Sequence, residues 1–493
     1  MNRIGVWFLK RWPSLVGAVL FLLAYAPFNI WPLMFVALAP MLSQLRKADS
    51  KEAWRIGYLF GFVLFLGQMF WLYVLANHWI HRPVLSFFPF LLTAVLEGLF
   101  FGWVARLARH CWLRGWPILI PIAWAGMEVA RSYFPVVALP WGLAATPLYK
   151  APLLIQTAHF GTIYLVSAWV VLLNTILAMV MDKEQQPKAR PLIAAFLVMF
   201  AVSIVQSRLS PPSRPFPVTV GQPGVDMAFG DRDLRSSQIA ESVNRISDQA
   251  VRNHSKLLVL PEGIGNDSHN PPRPPFVLDK SLPMLFGGQR DEGKLTYQTA
   301  FGFDGTWHSA DKTRLVIFGE FVPGRSSFPW VAKTFDLPTD DLSASTKGVQ
   351  SVTVAGAIAG PMLCFEALFP DVSFQQAKNG AQFISVMCID DWYMGTPAPD
   401  QLKAASIFRA VETGLPLVRS ASLGSTLALD GHGNVLGELP IGTPAGLNVT
   451  LQLPTQSTFF PFMFAFPGIA LIFAVALPWL PKRKKLEPTE ESA

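Results

Sequence analysis

The sequence predicts a two-part chain, an α-helical membrane bundle of about eight spans joined to one water-soluble α/β domain. Three observations predict it. Of 493 residues, 51% are hydrophobic and only 15% charged, against about 25% charged in an ordinary soluble domain. Apolar runs crowd the first 209 residues and recur near 457–480. Between them, from Phe216, charged residues appear throughout, and short β-rich runs alternate with helical ones.

Apolar runs of about 17–25 residues are long enough to cross a bilayer. Candidates lie near 12–28, 31–45, 56–77, 84–105, 116–134, 154–181 and 191–208, with an eighth near 457–480. The first follows Arg3, Lys10 and Arg11, lacks a small-residue cleavage site and leads straight into the next, so it reads as an uncleaved helix. The second is short and contains Pro32 and Pro40. With 16 Trp and 38 Phe, the composition also suits interfacial aromatic belts.

The formal charge of +7 sits mostly beside these runs, which argues for topology determinants and against a nucleic-acid partner. Lys and Arg gather in alternate loops: Arg46, Lys47, Lys51 and Arg55; Arg106, Arg109 and Arg114; Lys183, Lys188 and Arg190; Lys482, Arg483, Lys484 and Lys485. By the positive-inside rule these loops and both termini are cytoplasmic. The expected division is residues 1–209 for seven spans, 210–455 for an extracytoplasmic domain, 456–481 for the last span and 482–493 for a basic, polar cytoplasmic tail. Charged residues within the spans are few, Glu97, Glu128 and Arg131, which disfavours transport.

In the soluble half PVTVGQPG reads as a strand and turn, and DLRSSQIAESVNRISDQAVRNH has the apolar spacing of an amphipathic helix. KLLVLPEG reads as a buried strand. TYQTAFGFDG and VQSVTVAGAIAGPMLCFEALF read as strands with turns, and QAKNGAQFISVMCIDDW as a helix end followed by a buried strand. APDQLKAASIFRAVETG is a helix stopped at a glycine, and LPLVRSASLGSTLALDGHGNVLGEL a strand and hairpin. Such alternation implies helices packed on sheet faces.

Glu262, Lys312 and Cys364 lie where strands run out, the place where α/β sheets gather catalytic groups. A carboxylate accepts a thiol's proton, and an ammonium stabilises both the thiolate and the oxyanion of a tetrahedral intermediate. Glu as base, Lys as electrostatic stabiliser and Cys as nucleophile form a coherent acyl-transfer set. Taken singly, a Cys closing an apolar strand is ordinarily a core residue and a loop Lys ordinarily solvated; the combination carries the reading. The three cysteines, Cys111, Cys364 and Cys388, are too few for a disulfide framework and have no metal-site spacing. No Gly-rich phosphate loop occurs, so neither a metal nor a cofactor is expected.

LPEG, DKTRLVIFGEFVP and LCFEALFPD resemble the three motifs of the nitrilase superfamily. The membrane spans, then this domain, then a final span resemble its membrane-embedded branch, the apolipoprotein N-acyltransferase family. LAYAPFNIWPLMFVALAPML is similar to that family's first two helices and their turn, and GMEVARSYFPVVALPWGLAATPL to its Glu-x-x-Arg and Pro-Trp segment. The resemblance covers nearly the whole chain and implies an αββα sandwich for the soluble domain. It implies that Cys364 takes an acyl chain from a phospholipid as a thioester and passes it to the amine of a diacylglyceryl-cysteine lipoprotein. Glu262 is then the general base and acid, and Lys312 the oxyanion stabiliser. Glu320 and Glu366 match further acidic positions, with the roles of orienting Lys312 and the incoming amine. Trp141, Phe229, Trp392 and Tyr393 are expected to touch substrate. Loops at Phe286–Gly288, Phe328–Val331 and Trp392–Met394 are expected to act as lids reaching lipid. A monomer is expected.

The chain departs from the family pattern in having Phe365 in place of Tyr after the nucleophile, Ile389 in place of Asn, Arg314 in place of His and Phe229 in place of Trp. Two other readings stay open on sequence alone. One is a membrane-anchored amidase or hydrolase with the same triad and water as acceptor. The other is a decayed membrane homologue, against which the intact triad argues. A Cys364–Cys388 disulfide is disfavoured, because a nucleophile must stay free.

Overall fold

A computed structural model describes residues 11–135, 138–266 and 269–479. Arg3, Lys10 and the basic tail 482–493 lie outside the described residues. The helical half contains α1 (Trp12–Ala24), α2 (Ala39–Leu45), α3 (Ser50–Gln68), α4 (Phe70–Ile80), α5 (Pro83–Arg114), α6 (Ile120–Ser132), α7 (Ala158–Val180) and α8 (Arg190–Gln206). By length and composition α5, α7 and α8 (counted with the turn before it) suffice to cross a membrane, and α3 with α4 makes a fourth if that pair, bent by 50°, is one span. The run at 31–45 is a 3-10 turn, Trp31–Phe35, followed by the short α2, and the run at 457–480 holds a helix over Ala465–Ala476. The expected helix at 116–134 is confined to Ile120–Ser132.

Polar side chains repair each break in helical backbone, as an apolar solvent demands. Asn174 of α7 accepts from the N–H groups of Leu38 and Ala39 at 2.8 and 3.0 Å and donates to the Met34 carbonyl at 2.8 Å. The segment 138–157, which holds two short 3-10 turns but no α-helix, is held likewise. Glu128 accepts from Ala144 N at 2.8 Å, Arg131 donates to Leu139 O at 3.1 Å, and Tyr25 donates to Leu143 O. Arg131 also meets Glu97 at 3.3 Å, so the three charges within the bundle brace an irregular chain segment.

Helices α3 and α5 cross closely through two facing small-residue pairs, Gly57/Gly61 and Gly98/Gly102. A Cβ at Gly57 would collide with the Phe101 carbonyl and the Ala105 methyl, and one at Gly61 would stand 2.5 Å from the Phe101 Cβ. Small residues let membrane helices approach until backbones touch.

The basic residues meet at one end of this bundle: Arg11 pairs with Glu52 at 2.6 Å, Arg46 with Asp182, and Arg109 donates to Arg46 O. The soluble domain joins the other end. There Gln68 closes α3, and Ile163 near the start of α7 donates to Glu412 at 2.8 Å.

That domain holds two sheets. The first runs β13-β1-β2-β4-β5-β6 with β3 beside β4, using β1 (Ser213–Gln222), β2 (Leu257–Val259), β3 (Gly265–Asn266), β4 (Met284–Glu292), β5 (Leu295–Phe303), β6 (Trp307–Asp311) and β13 (Ala445–Pro454). The second runs β12-β11-β10-β9-β8-β7, using β7 (Val352–Val354), β8 (Ala357–Leu363), β9 (Phe383–Cys388), β10 (Leu417–Ala421), β11 (Leu427–Leu429) and β12 (Val435–Glu438). The central strands β8, β9 and β10 are parallel, as are β1, β2 and β4.

Side-chain alternation assigns each face. Phe383 and Met387 of β9 enter the core between the sheets with Val218, Val220 and Leu285, while Ile384, Val386 and Cys388 face outward. Helix α9 (Arg232–Arg252) covers the first sheet through Ile239, Val243 and Ile246. The short α10 (Pro329–Thr334) lies in the loop after β6, and α11 (Pro370–Lys378) and α12 (Ala398–Thr413) cover the second sheet. The order helix, sheet, sheet, helix is that of a nitrilase-like sandwich. One continuous apolar cluster runs from the outer face of the second sheet through α12 into the helical half, and α13 (Ala465–Ala476) closes on α6, with Gly126 against the Ala470 carbonyl. The expected lid at Phe286–Gly288 is corrected: these residues lie inside β4 and Phe286 is fully buried, because the Gly-Gly pair lets β4 pack against Glu262 and Gly265.

A Gly57→Ile variant is expected to force α3 and α5 apart, costing about 1–3 kcal/mol. The check is a lowered melting temperature of the purified protein in detergent, with Gly468→Ala, where a Cβ meets nothing on a helical backbone, as control.

Candidate functional site

Three strand ends converge. After β2 the chain passes Leu260 and Pro261 to Glu262, in a turn that Gly263 completes at φ 83. β6 ends at Asp311 and Lys312 follows, its N–H held by Gln298 O at 2.8 Å. β8 ends at Leu363, and Cys364 opens a 3-10 turn with φ 49, a left-handed conformation that strains a side-chain-bearing residue. All three side chains are buried, Lys312 at 1% exposure.

The Lys312 ammonium donates to Glu262 Oε1 at 3.2 Å and to Glu320 Oε1 at 2.6 Å. Burial acts to lower the Lys312 pKa, but Glu262, Glu320 and Cys364 outweigh it and hold the ammonium charged. Glu262 is pushed up to about 7 by burial, against the pull of Lys312. The Cys364 thiol is raised well above its usual value by the adjacent Cys388 thiol, by burial and by Glu262. At rest the site therefore sets a protonated thiol beside a carboxyl group poised to take its proton and a fixed cation.

Of the Glu320 carboxylate, one oxygen holds Lys312 and the other accepts from Val316 N at 2.8 Å. Glu366 is held by hydrogen bonds on both carboxylate oxygens. One oxygen accepts from Leu363 N at 2.9 Å. The other accepts from Thr313 N and Thr313 Oγ1 at 2.7 Å and from Arg314 N at 3.2 Å. Its carboxylate ties the segment after Lys312 to the turn that presents Cys364. Arg314 pairs with Asp371 at 2.6 Å, and Tyr133 of the helical half donates to the same carboxylate at 2.9 Å.

The expected substrate-facing aromatics form two groups. Tyr393 lies within electrostatic reach of Cys364 and Lys312 and packs edge-on against Trp71 at 5.2 Å. Trp71 lies 4.9 Å from Trp141, whose ring N–H donates to Gln401 Oε1. In the second group Phe229, in the loop after β1, meets His78 at 3.8 Å and Trp392 at 5.4 Å, and Trp392 meets Trp79 at 5.6 Å. Phe365 stacks edge-on against Phe369. Of the remaining expected lids, Phe328 and Trp330 are exposed at 56% and 61%, and Met394 at 37%.

Sequence reasoning missed the contributions of Trp71, His78 and Trp79 from the helical half, and two buried anchors. Arg419 on β10 forms a two-pronged pair with Asp390 at 2.7 and 2.8 Å. An arginine inside an apolar strand is itself a signal, since a buried charge requires a partner. Asp391 accepts from Met227 N at 2.7 Å and Leu423 N at 3.1 Å, joining the loops after β1, β9 and β10.

Comparison with known proteins follows this division. Residues 17–176 match the family model "Apolipoprotein N-acyltransferase N-terminal domain", and residues 286–455 match "Carbon-nitrogen hydrolase". Relatives named apolipoprotein N-acyltransferase match along almost the full length. The one from Geobacter metallireducens is 27% identical over 91% of this chain and 90% of its own. That from Rhizobium etli is 27% identical over 91% of each. The chain is thus similar to the apolipoprotein N-acyltransferase family along nearly its whole length. Among solved structures, a carbon-nitrogen hydrolase from Helicobacter pylori G27 is 14% identical, with a TM-score of 0.36, over 48% of this chain and 89% of its own. The match to the carbon-nitrogen hydrolase model takes in Lys312 and Cys364, and Glu262 precedes it.

Gly287 lies against Glu262, and a Cβ there would stand 2.6 Å from the Glu262 Cα. Gly287→Ala is expected to displace Glu262 and slow alkylation of Cys364 by iodoacetamide roughly 10- to 100-fold while the protein stays folded. Peptide mapping of the labelled protein checks this.

Proposed function

We propose that this enzyme transfers an acyl chain from a phospholipid to the N-terminal amine of a diacylglyceryl-cysteine lipoprotein, with Cys364 as the nucleophile. The observation that carries the reading is the buried Glu262–Lys312–Cys364 cluster, set in a nitrilase-like domain that shares one apolar core with a helical half matching the family's own membrane domain. In the first step Glu262 takes the Cys364 proton and the thiolate attacks an ester carbonyl of the phospholipid. Lys312 stabilises the oxyanion, the ester bond breaks, and Glu262 returns the proton to the departing glycerol oxygen. In the second step the lipoprotein amine attacks the thioester, Glu262 accepts its proton, and the Cys364 sulfur leaves and is reprotonated. No cofactor takes part.

Trp71, Trp141 and Tyr393 are the surfaces assigned to acyl chains, and Phe229, Trp392 and the exposed Phe328 and Trp330 those assigned to the lipid boundary. A site built this way serves two lipid substrates and shields the thioester from water. The finer membrane arrangement belongs to the same proposal: a monomer in the bacterial inner membrane, about eight spans, residues 210–455 periplasmic and both termini cytoplasmic. Its support is the gathering of Arg11, Arg46 and Arg109 at the bundle end opposite the soluble domain.

The test is intact-mass spectrometry of purified protein mixed with phospholipid and then with a diacylglyceryl-cysteine peptide. An acyl-sized gain on the wild type but not on Cys364→Ala, passing to the peptide amine, is expected. An adduct that decays only to free fatty acid, or no adduct on folded protein, would overturn the transfer reading.

The rate of adduct formation is expected to rise with pH and level off above about 7, because Glu262 must lose its proton to act as base and burial holds its pKa near that value. Stopped single-turnover reactions across the pH range check the sign; a rate that falls as pH rises through this window excludes Glu262 as the base.

A further inference from the structure

We propose that Cys388 is a resolving thiol for Cys364, so that a hydroperoxide converts the active-site thiol into a reversible disulfide across β8 and β9. The inference rests on Cys364 being the reactive thiol of the preceding section.

Three features carry it. First, the strands are parallel neighbours with Leu363 opposite Met387, Cys388 ends β9, Cys364 follows the end of β8, and the two thiols lie within hydrogen-bonding reach. Adjacent strands lie about 4.8 Å apart, inside the roughly 4.4–6.8 Å between Cα atoms that a disulfide accepts. Second, both cysteines belong to the apolar cluster on the outer face of the second sheet, while Leu363 and Met387 belong to the core between the sheets. The two thiols are therefore on one side of the sheet. Third, the mechanism uses Cys364 alone, leaving Cys388 as a second nucleophilic group beside it. Cys364 is 6% exposed and Cys388 only 1%. An oxidant thus meets Cys364 first, and Cys388 reacts within the molecule. Cys111, the remaining cysteine, sits buried on α5 in the helical half and provides an internal control.

The chemistry balances. The Cys364 thiolate, its proton having gone to Glu262, attacks one oxygen of the peroxide. The O–O bond breaks, and the leaving hydroxide takes that proton as water, leaving Cys364 as a sulfenic acid. The Cys388 sulfur then attacks the Cys364 sulfur. The S–S bond forms, the S–O bond breaks, and the departing hydroxyl takes the Cys388 proton as a second water. Two thiols lose two electrons and two protons, which the peroxide accepts. A dithiol reductant reverses the bond by exchange. The gain is protection: a nucleophile left as sulfenic acid is exposed to irreversible oxidation, whereas the disulfide is recoverable.

The experiment treats the full-length protein in detergent with hydrogen peroxide, then maps peptides without reduction and assays acyl transfer. The expected result is a Cys364–Cys388 peptide pair lighter by two hydrogens, with activity falling ~10-fold or more and returning on addition of dithiothreitol. Cys388→Ser should instead take two oxygens on Cys364 and not recover, while Cys111→Ser should cross-link like the wild type. Wild-type Cys364 that gains oxygens without cross-linking, or that stays unmodified while activity persists, overturns the proposal. The acyl adduct of the reduced protein is read separately. A cross-link without an acyl adduct would retire the nucleophile reading and keep the redox one; an adduct without a cross-link would do the reverse.

Discussion

A single buried cation organises this site. Lys312 has no solvent to share its charge, so its ammonium must be surrounded by acceptors, and Glu262 and Glu320 supply them. Each acceptor ties a different stretch of chain to the same point: Glu262 the turn after β2, Glu320 the loop after β6. Glu366 adds the turn that carries Cys364, accepting from Leu363 N before it and from Thr313 N after Lys312. The constraint runs in both directions. The carboxylates keep the lysine protonated despite burial, and the lysine keeps Glu262 from rising as far as burial alone would carry it. Removing any one of the three would leave an uncompensated charge in the interior rather than a simple gap.

The helical half contributes more than attachment. Its irregular segment 138–157 places Trp141 beside Trp71, which in turn meets Tyr393, and it remains irregular inside an apolar bundle because Glu128, Arg131 and Tyr25 satisfy its backbone. The same economy appears at the junction, where Gln401 of α12 receives the Trp141 N–H and donates to Gln68 at 3.2 Å. Since the outer face of the second sheet and the bundle form one apolar cluster, the two halves bury a shared surface and do not behave as beads on a linker.

Much of this was legible in the amino-acid order. The helix at Arg232–Arg252, the buried strand Phe383–Cys388 and the helix ending at Gly414 follow from periodicity, apolar continuity and a left-handed cap. The meeting of Glu262, Lys312 and Cys364 was legible because each closes a strand-like run. Other features were not. β4 reads as an unremarkable apolar and glycine stretch, so its role as the wall behind Glu262 was taken for a lid. Sequence also does not reveal that four donors converge on Glu366. The span count was limited by length: the Pro-interrupted run at 31–45 folds as a 3-10 turn and a short helix, and hydropathy alone does not distinguish such a pair from a crossing. Long-range aromatic partners such as Trp79 and Trp392 carry no local signal at all.

The left-handed backbone at Cys364 has an evolutionary consequence. A side chain in that region costs about 1–3 kcal/mol that glycine would not incur. On the proposed mechanism, the position that does the chemistry is the one where folding alone favours a residue with no side chain. Stability and activity pull in opposite directions at this residue, and selection for robustness by itself would tend to erase the nucleophile. Its presence in an otherwise well-packed turn marks a chain held to its reaction against the preference of its own backbone.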